Sequence, residues 1–345
     1  MVNPYVFVVG CPRSGTTLLQ RMINAHPQIA IILETKWIPR LWDERKGLTP
    51  EGLVTPELIP HLVAQRDFDR LHVDRKHLEG LLEADQQATY ANFVSRIFDL
   101  YGERREKSLV GDKTPGYVRQ LDTLHTLWPK ARFVHLVRDG RDVFLSTLEW
   151  PKGHQKRPAI FAAWKDDAAS TAAFWWESNV RLGRAVGNLL GPELYYEVRY
   201  ESLVRNPEEE CMALCAFLDV PYDEAMLRFH EGRTKTKPGL SAKHAWLPIT
   251  SGLRDWRSQM TAEDAERFEA AAGELLDELA YPRAFPILRP EAKKHAFGIQ
   301  DLLAQDAKWI RAVSRPDRKR ADFAPGMPDA RIDDQGMRGS LEGSA

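Results

Sequence analysis

The stretch that most constrains the fold lies near the N-terminus: Val6-Phe7-Val8-Val9, then Gly10-Cys11-Pro12-Arg13-Ser14-Gly15, then Thr16-Thr17-Leu18-Leu19. Four consecutive apolar residues read as a strand buried on both faces. Leu18, Leu19, Met22 and Ile23 recur at helical spacing, and Pro27 closes that helix. Strand, glycine loop and helix in this order aim free backbone N–H groups at an anion on the helix N-terminus. Gly10 and Gly15 let the backbone approach it closely. Arg13, Ser14, Thr16 and Thr17 add a cation and three hydroxyls at the same place.

Gly10 and Gly15 have the spacing of the G-x4-G-K-[ST] triphosphate loop, but Thr16 stands where its lysine belongs. A cysteine-based phosphatase would want an arginine six residues after Cys11, and Thr17 is there instead. What remains is a loop that grips phosphate with backbone, hydroxyls and an arginine inside the turn.

Further short apolar runs follow at Gln28–Leu33, Leu109–Val110, Phe133–Val137 and Leu194–Val198. Between them the periodicity predicts helices over His77–Tyr101, Tyr117–Trp128, Asp142–Leu148, Phe174–Leu190 and Pro207–Leu218, and one from Thr261 to Tyr281-Pro282. Strands alternating with helices specify an α/β fold with a parallel sheet flanked by helices on both faces. The main domain is expected over 1–285. An extension over 286–345 would hold a helix around Ile299–Val313 and be disordered from about residue 314, where Arg, Asp, Pro and Gly dominate.

A net charge of −1 gives no global field for nucleic acid or a membrane surface. No apolar run approaches the ~20 residues of a membrane span. The first strand begins by Tyr5, which leaves no room for a signal peptide. Of three cysteines, Cys211 and Cys215 are four apart on one helix face and read as core. The expectation is a reduced, cytoplasmic protein.

A second anion site is written in Phe133-Val-His-Leu-Val-Arg138-Asp-Gly-Arg-Asp-Val-Phe-Leu-Ser146. Arg138 falls at the carboxyl end of a strand, where open α/β sheets bind ligands. An arginine fork with the Ser146 hydroxyl suits a dianionic phosphate. The alternative is a solvated turn, Arg138 to Asp142, laced with surface ion pairs.

In combination these motifs resemble a known family. Pro12-Arg-Ser-Gly-Thr-Thr-Leu-Leu19 resembles the 5′-phosphosulfate loop of sulfotransferases that use 3′-phosphoadenosine 5′-phosphosulfate (PAPS). Arg138-x7-Ser146 resembles their 3′-phosphate site, and Tyr200-Glu-Ser-Leu203 the segment that closes the nucleotide pocket. Pro248-Ile-Thr-Ser251-Gly252-Leu-Arg-Asp-Trp-Arg257 resembles the late loop over the nucleotide. The resemblance covers roughly residues 4 to 282. It implies a P-loop NTPase-like sulfotransferase fold and PAPS as donor, held by Arg13, Ser14, Gly15, Thr16, Thr17, Arg138, Ser146, Tyr200, Ser251 and Gly252, with no metal. The basic, glycine- and proline-broken Arg233–His244 suits either a mobile lid or a solvated loop.

Sulfuryl transfer needs a base for the acceptor hydroxyl and positive charge on the bridging oxygen. Many cytosolic relatives place a histidine two residues after a lysine, but here the segment reads Lys113-Thr114-Pro115. Leu33-Glu34-Thr35-Lys36 resembles the Glu-Thr-Arg segment of tyrosylprotein sulfotransferases, whose glutamate is the base. The resemblance therefore implies Glu34 as base, with Lys36 in place of the family arginine, and Lys113 and Arg13 on the leaving phosphate. Glu34 could instead pair with Lys36 or Lys113, and Lys113 with Asp112. His26 and His135 are the fallback bases. Some relatives carry a further basic residue where Trp150 stands, so Arg141 or Lys152 would have to substitute. Trp37, Trp42, Trp164 and Trp246 fall in segments expected near the acceptor, which suits a sugar, an aromatic alcohol, another small molecule or tyrosine, unless they are packing. Two other functions stay open: a nucleotide kinase with a degenerate loop and Mg2+ on Asp112, and a non-catalytic module that binds PAPS or its product.

Overall fold

The computed structural model describes residues 3–149, 163–231, 247–250, 252–306 and 309. The apolar runs become five short strands: β1 (Val6–Gly10), β2 (Ile29–Leu33), β3 (Leu109–Lys113), β4 (Arg132–Val137) and β5 (Tyr195–Arg199). They form one sheet in the order β2-β3-β1-β4-β5, and every pair is parallel. Parallel pairing needs a crossover between consecutive strands, and the crossovers carry the helices that cover both faces.

Alternation along the strands assigns the faces. Val6, Val8, Ile29, Ile31, Val134 and Leu136 pack with residues of the helices Thr16–Ala25 and Pro207–Phe217. Phe7, Val9, Ala30, Ile32 and Phe133 face the other way, against the helices Tyr90–Glu103 and Leu121–Leu127. A third apolar cluster lies beyond the end of β4. There Val137, Phe144, Trp176, Phe268, Leu275, Ile299 and Leu303 join the helices Gly140–Leu148, Ala168–Leu190, Ala262–Glu278 and Pro290–Gln305.

The topology opens the site. From β1 the chain runs outward to β2 at one edge, whereas from β4 it runs to β5 at the other. A crevice therefore opens at the carboxyl ends of β1 and β4, where connections leave in opposite directions. Gly10 permits the close approach of those two strands, because a Cβ there would lie 2.5 Å from the Leu136 carbonyl oxygen.

Several expected boundaries move, each for a capping reason. His77–Tyr101 is two helices, Arg75–Ala84 and Tyr90–Glu103. The polar Asp85–Thr89 stretch separates them, and Thr89 caps the second by accepting from the Asn92 N–H at 3.2 Å. Tyr117–Trp128 is a 3-10 turn opened by Pro115 (Pro115–Arg119), followed by the helix Leu121–Leu127. The helix expected from Phe174 starts at Ala168, capped by Asp167, which accepts from the Ser170 N–H at 2.9 Å. The helix expected at Ile299–Val313 runs over Pro290–Gln305, with proline in its first turn. The disorder expected from about 314 falls outside the described residues. Cys11, Cys211 and Cys215 are free and buried. Among the described residues no helix is long and apolar enough to cross a membrane.

Candidate active site

The loop after β1 turns tightly. The Ser14 N–H donates to the Cys11 carbonyl at 3.1 Å, and Arg13 and Gly15 adopt positive φ of 80° and 104°. No side chain caps the helix Thr16–Ala25, so its N-terminus keeps donors for an anion. The Ser14 hydroxyl is buried with no partner of its own. A buried polar atom is normally satisfied, and an orphan in this loop fits a phosphate oxygen. Gly15 is required for space as well as conformation, because a Cβ there would sit 2.6 Å from the Tyr200 ring.

Across the crevice stands Arg138, buried at the end of β4. Its Nη2 donates to Asp142 at 3.2 Å, and its guanidinium lies 4.1 Å from the centre of the Tyr200 ring. Its Nε has no partner, which leaves a donor for a second anion. Arg13 Nε donates to Ser146 Oγ at 3.1 Å, joining the first loop to the helix Gly140–Leu148.

The solvated-turn alternative for Arg138–Asp142 fails, because Arg138, Asp139 and Arg141 are buried and Asp142 is only slightly exposed. The Arg141 side chain is 0% exposed, paired with Asp139 at 2.8 Å and Glu269 at 2.7 Å, and stacked on Trp256 at 3.6 Å. Arg141 is thus consumed in the core and cannot serve a nucleotide. Trp150, Lys152, Ser251 and Arg233–His244 lie outside the described residues. Gly252 takes φ of 73° in the late loop, and three residues on, Asp255 leads into Trp256, whose N–H donates to Asp142 at 3.0 Å. Asp142, missed in the sequence, thereby ties the late loop to Arg138. Its spacing of four from Arg138 was the available signal.

The base candidate sits at the other side of β1. Leu33 and Val8 both stand in register with Lys113. The Glu34 N–H donates to the Lys113 carbonyl at 2.9 Å. Lys113 Nζ, on a fully buried side chain, meets Glu34 Oε1 at 2.8 Å and Thr17 Oγ1 at 3.3 Å. Lys36 Nζ meets the other Glu34 oxygen at 2.6 Å. Both alternative ion pairs of Glu34 therefore form together. Burial pushes the Glu34 carboxyl up, but the two ammonium groups outweigh it and hold it at about 2. Burial lowers Lys113, and Glu34 works against that.

Asp112 does not pair with Lys113. Consecutive strand residues point to opposite faces, and Asp112 turns away to accept from the Thr35 N–H at 3.1 Å. Its other oxygen, Oδ1, is buried with no partner. Among the described residues no group of three or more His, Cys, Asp or Glu side chains could hold a metal ion.

Other expectations are corrected by burial. His26 Nδ1 accepts from the Gln28 N–H at 3.1 Å, so its Nε2 donates to the Pro221 carbonyl at 2.8 Å. His135 bonds the Tyr195 hydroxyl at 2.6 Å, and burial pushes it down to about 3. Both are structural. Trp37 and Trp164 are core residues, Trp42 is half-buried between Tyr90 and Arg45, and Trp246 lies outside the described residues. The described tryptophans among them are packing, not a substrate platform.

This geometry matches known proteins. The sequence profile of the sulfotransferase family covers residues 4–224. The protein-tyrosine sulfotransferase of Drosophila melanogaster is 25% identical over 88% of this chain, and protein-tyrosine sulfotransferase 1 of Danio rerio is 26% identical over 82%. The chain spans 55% of the length of the first and 74% of the second. The sulfotransferase domain of the Synechococcus PCC 7002 olefin synthase superposes with a TM-score of 0.55 at 25% identity, over 81% of this chain and 95% of that domain. With its glycine loop at the end of β1 and its parallel α/β sheet, the chain belongs to the sulfotransferase family.

Proposed function

We propose that this protein transfers a sulfuryl group from PAPS to an acceptor hydroxyl. The observation that carries the reading is the Glu34–Lys113 pair, 2.8 Å apart at the mouth of the anion crevice. A module that only binds a nucleotide needs neither a base nor a cation for a leaving oxygen.

When bound, PAPS supplies a sulfuryl group already activated by a phosphate leaving group. The loop residues Arg13, Ser14, Gly15, Thr16 and Thr17 would hold its 5′ end, Arg138 and Ser146 its 3′-phosphate, and Tyr200 its adenosine side. The orphaned Ser14 hydroxyl and Arg138 Nε support that fit. Gly252 and Ser251 would complete the pocket from the late loop. Glu34 takes the acceptor proton as the new oxygen–sulfur bond forms. Lys113 and Arg13 meet the charge that gathers on the departing oxygen, where fixed cations contribute most. Peptidyl tyrosine is the first acceptor to test, because the relatives are protein-tyrosine sulfotransferases. The decisive assay is labelled PAPS offered with tyrosine peptides, phenols, sugars and simple alcohols. A protein that binds PAPS and labels none of them would end the transfer reading. We also place it in a reducing, cytoplasmic compartment, which the three free buried thiols support.

Turnover is expected to proceed unchanged in excess EDTA. A phosphoryl-transfer site must offset charges clustered on the β- and γ-phosphates, which Mg2+ bridges. A sulfuryl group has one charge spread over three oxygens, and Arg13, Lys113 and the loop amides can match it. A strict Mg2+ requirement would return the kinase reading to first place.

Gly15→Ala should weaken binding of adenosine 3′,5′-bisphosphate by about tenfold or more, since a lost packing and conformational fit of 1–2 kcal/mol is about that factor. The added methyl displaces Tyr200, which also supports Arg138. Calorimetry that finds full affinity would disprove that coupling.

A further inference from the structure

Glu34 and Lys36 both hold a left-handed backbone, at φ of 55° and 57°. Neither is glycine, so the surroundings must impose the conformation. The two last side chains of β3 grip this turn from opposite faces of the sheet. Lys113 takes the Glu34 carboxylate on the side of the helix Thr16–Ala25. Asp112 takes the Thr35 N–H on the other side, at 3.1 Å. There the Thr35 hydroxyl bonds the Tyr117 hydroxyl at 2.7 Å, and the Tyr117 oxygen also accepts from the Ile38 N–H at 3.1 Å. Tyr90 closes the set by donating to the Ile38 carbonyl at 2.8 Å. Asp112, Thr35, Tyr117 and Tyr90 are all buried.

We infer that Asp112, as a carboxylate, is a positioning residue that with Tyr117 locks the Glu34–Thr35–Lys36 turn in its working conformation and supports Lys113 as a cation. The inference rests on the transfer reading above and assigns it a control point. A charged acceptor bonds the Thr35 N–H more strongly than a neutral one. A base misplaced by an ångström can cost about a hundredfold in rate.

The setting also makes Asp112 the titrating member. Burial raises its carboxyl to about 6, against the hydrogen bond from the Thr35 N–H and the charge of Lys113. On its own face lie Tyr117 on the 3-10 turn and Tyr101, under Arg105, on the helix Tyr90–Glu103, while the charge of Lys113, paired with Glu34 beside Lys36, acts on it from across the sheet. Its neighbours in register, Phe7 and Ile32, are apolar. Glu34 is already ionised well below this range. An acid limb of kcat near pH 6 that Asp112→Asn removes therefore belongs to Asp112.

The test compares the wild type, Asp112→Asn and Tyr117→Phe. Wild-type kcat should fall as pH drops through about 6. Asp112→Asn should be about tenfold slower at pH 7.5 and flat from pH 5 to 7.5, with bisphosphate affinity within about twofold of wild type. Tyr117→Phe should lose rate and keep the limb, since it removes the bridge and leaves the charge. A wild type flat through pH 6, an Asp112→Asn profile that keeps the limb, or a Tyr117→Phe enzyme at full rate would each overturn the inference, the last even if Asp112→Asn does not fold. A wild type that transfers nothing strikes the transfer reading instead. The ligand-free proteins then judge Asp112 by itself. A carboxyl raised on folding contributes stability below its unfolded value that is lost as pH rises through the folded one. The wild-type melting temperature, relative to Asp112→Asn, should fall between about pH 4 and 6, and a constant difference would overturn the assignment.

Discussion

Glu34→Gln should lower kcat by roughly a hundred- to ten-thousand-fold, the range a general base supplies, and leave adenosine 3′,5′-bisphosphate binding intact or slightly tighter. Glutamine keeps the size of the side chain and can accept a hydrogen bond from Lys113, but it cannot take a proton. It also releases Lys113 and Lys36 from their shared counter-charge, and both ammonium groups then favour an anionic ligand. Single-turnover transfer and calorimetry on the same preparation separate the two effects. A variant with most of the wild-type kcat would remove Glu34 as the base, and neither buried histidine, His26 or His135, could replace it. The same side chain has a signature in stability. Its folded value, about 2, lies below its ordinary 4.5. Its contribution is therefore full above about pH 4.5 and disappears as pH falls toward 2. Glu34→Gln should flatten that part of the melting curve.

Arg138→Ala should cost about a hundredfold in affinity for adenosine 3′,5′-bisphosphate, as expected for losing a charge-assisted fork worth about 3 kcal/mol. Adenosine 5′-phosphosulfate, which lacks the 3′-phosphate, should bind almost as before. The substitution also strips Asp142 of its buried partner, so a lower melting temperature is expected with it. Arg138→Lys keeps a charge beside Asp142 and removes only the planar fork. It should recover stability while binding the bisphosphate poorly. Equal losses for both nucleotides would show that Arg138 serves the whole pocket and not its 3′ end.

The parts of the fold that were legible are those written locally. β1, β2 and β4 were short apolar runs, because strands buried on both faces cannot hide their composition, whereas β3, ending in Asp112 and Lys113, and the half-exposed edge strand β5 showed only part of one. The order β2-β3-β1-β4-β5 was not written anywhere, since pairing is decided between distant segments. The helix break at Asp85–Thr89 was missed because apolar residues on both sides kept a helical period, while capping depends on one threonine. The glycine loop after β1 and the place of Arg138 at the end of β4 were legible because contiguous residues build them. The Thr35–Tyr117 contact joins residues 82 apart, and nothing near either one announces the other. Arg141 was misjudged for a related reason. A run of alternating charges reads as a surface turn unless one knows that Glu269 comes to meet it, 128 residues later.

The resting Glu34 carboxylate is clasped by two ammonium groups, and this has a kinetic consequence. A proton acceptor held at about 2 is nearly inert toward an alcohol. Lys113 cannot give its full charge both to Glu34 and to a departing phosphate oxygen. If Lys113 serves the donor as proposed, an arriving anion should draw it toward the new charge and loosen its hold on Glu34, so that basicity appears only after the crevice is filled. On the transfer reading, the acceptor should therefore bind with or without the nucleotide and surrender its proton only once the donor is in place.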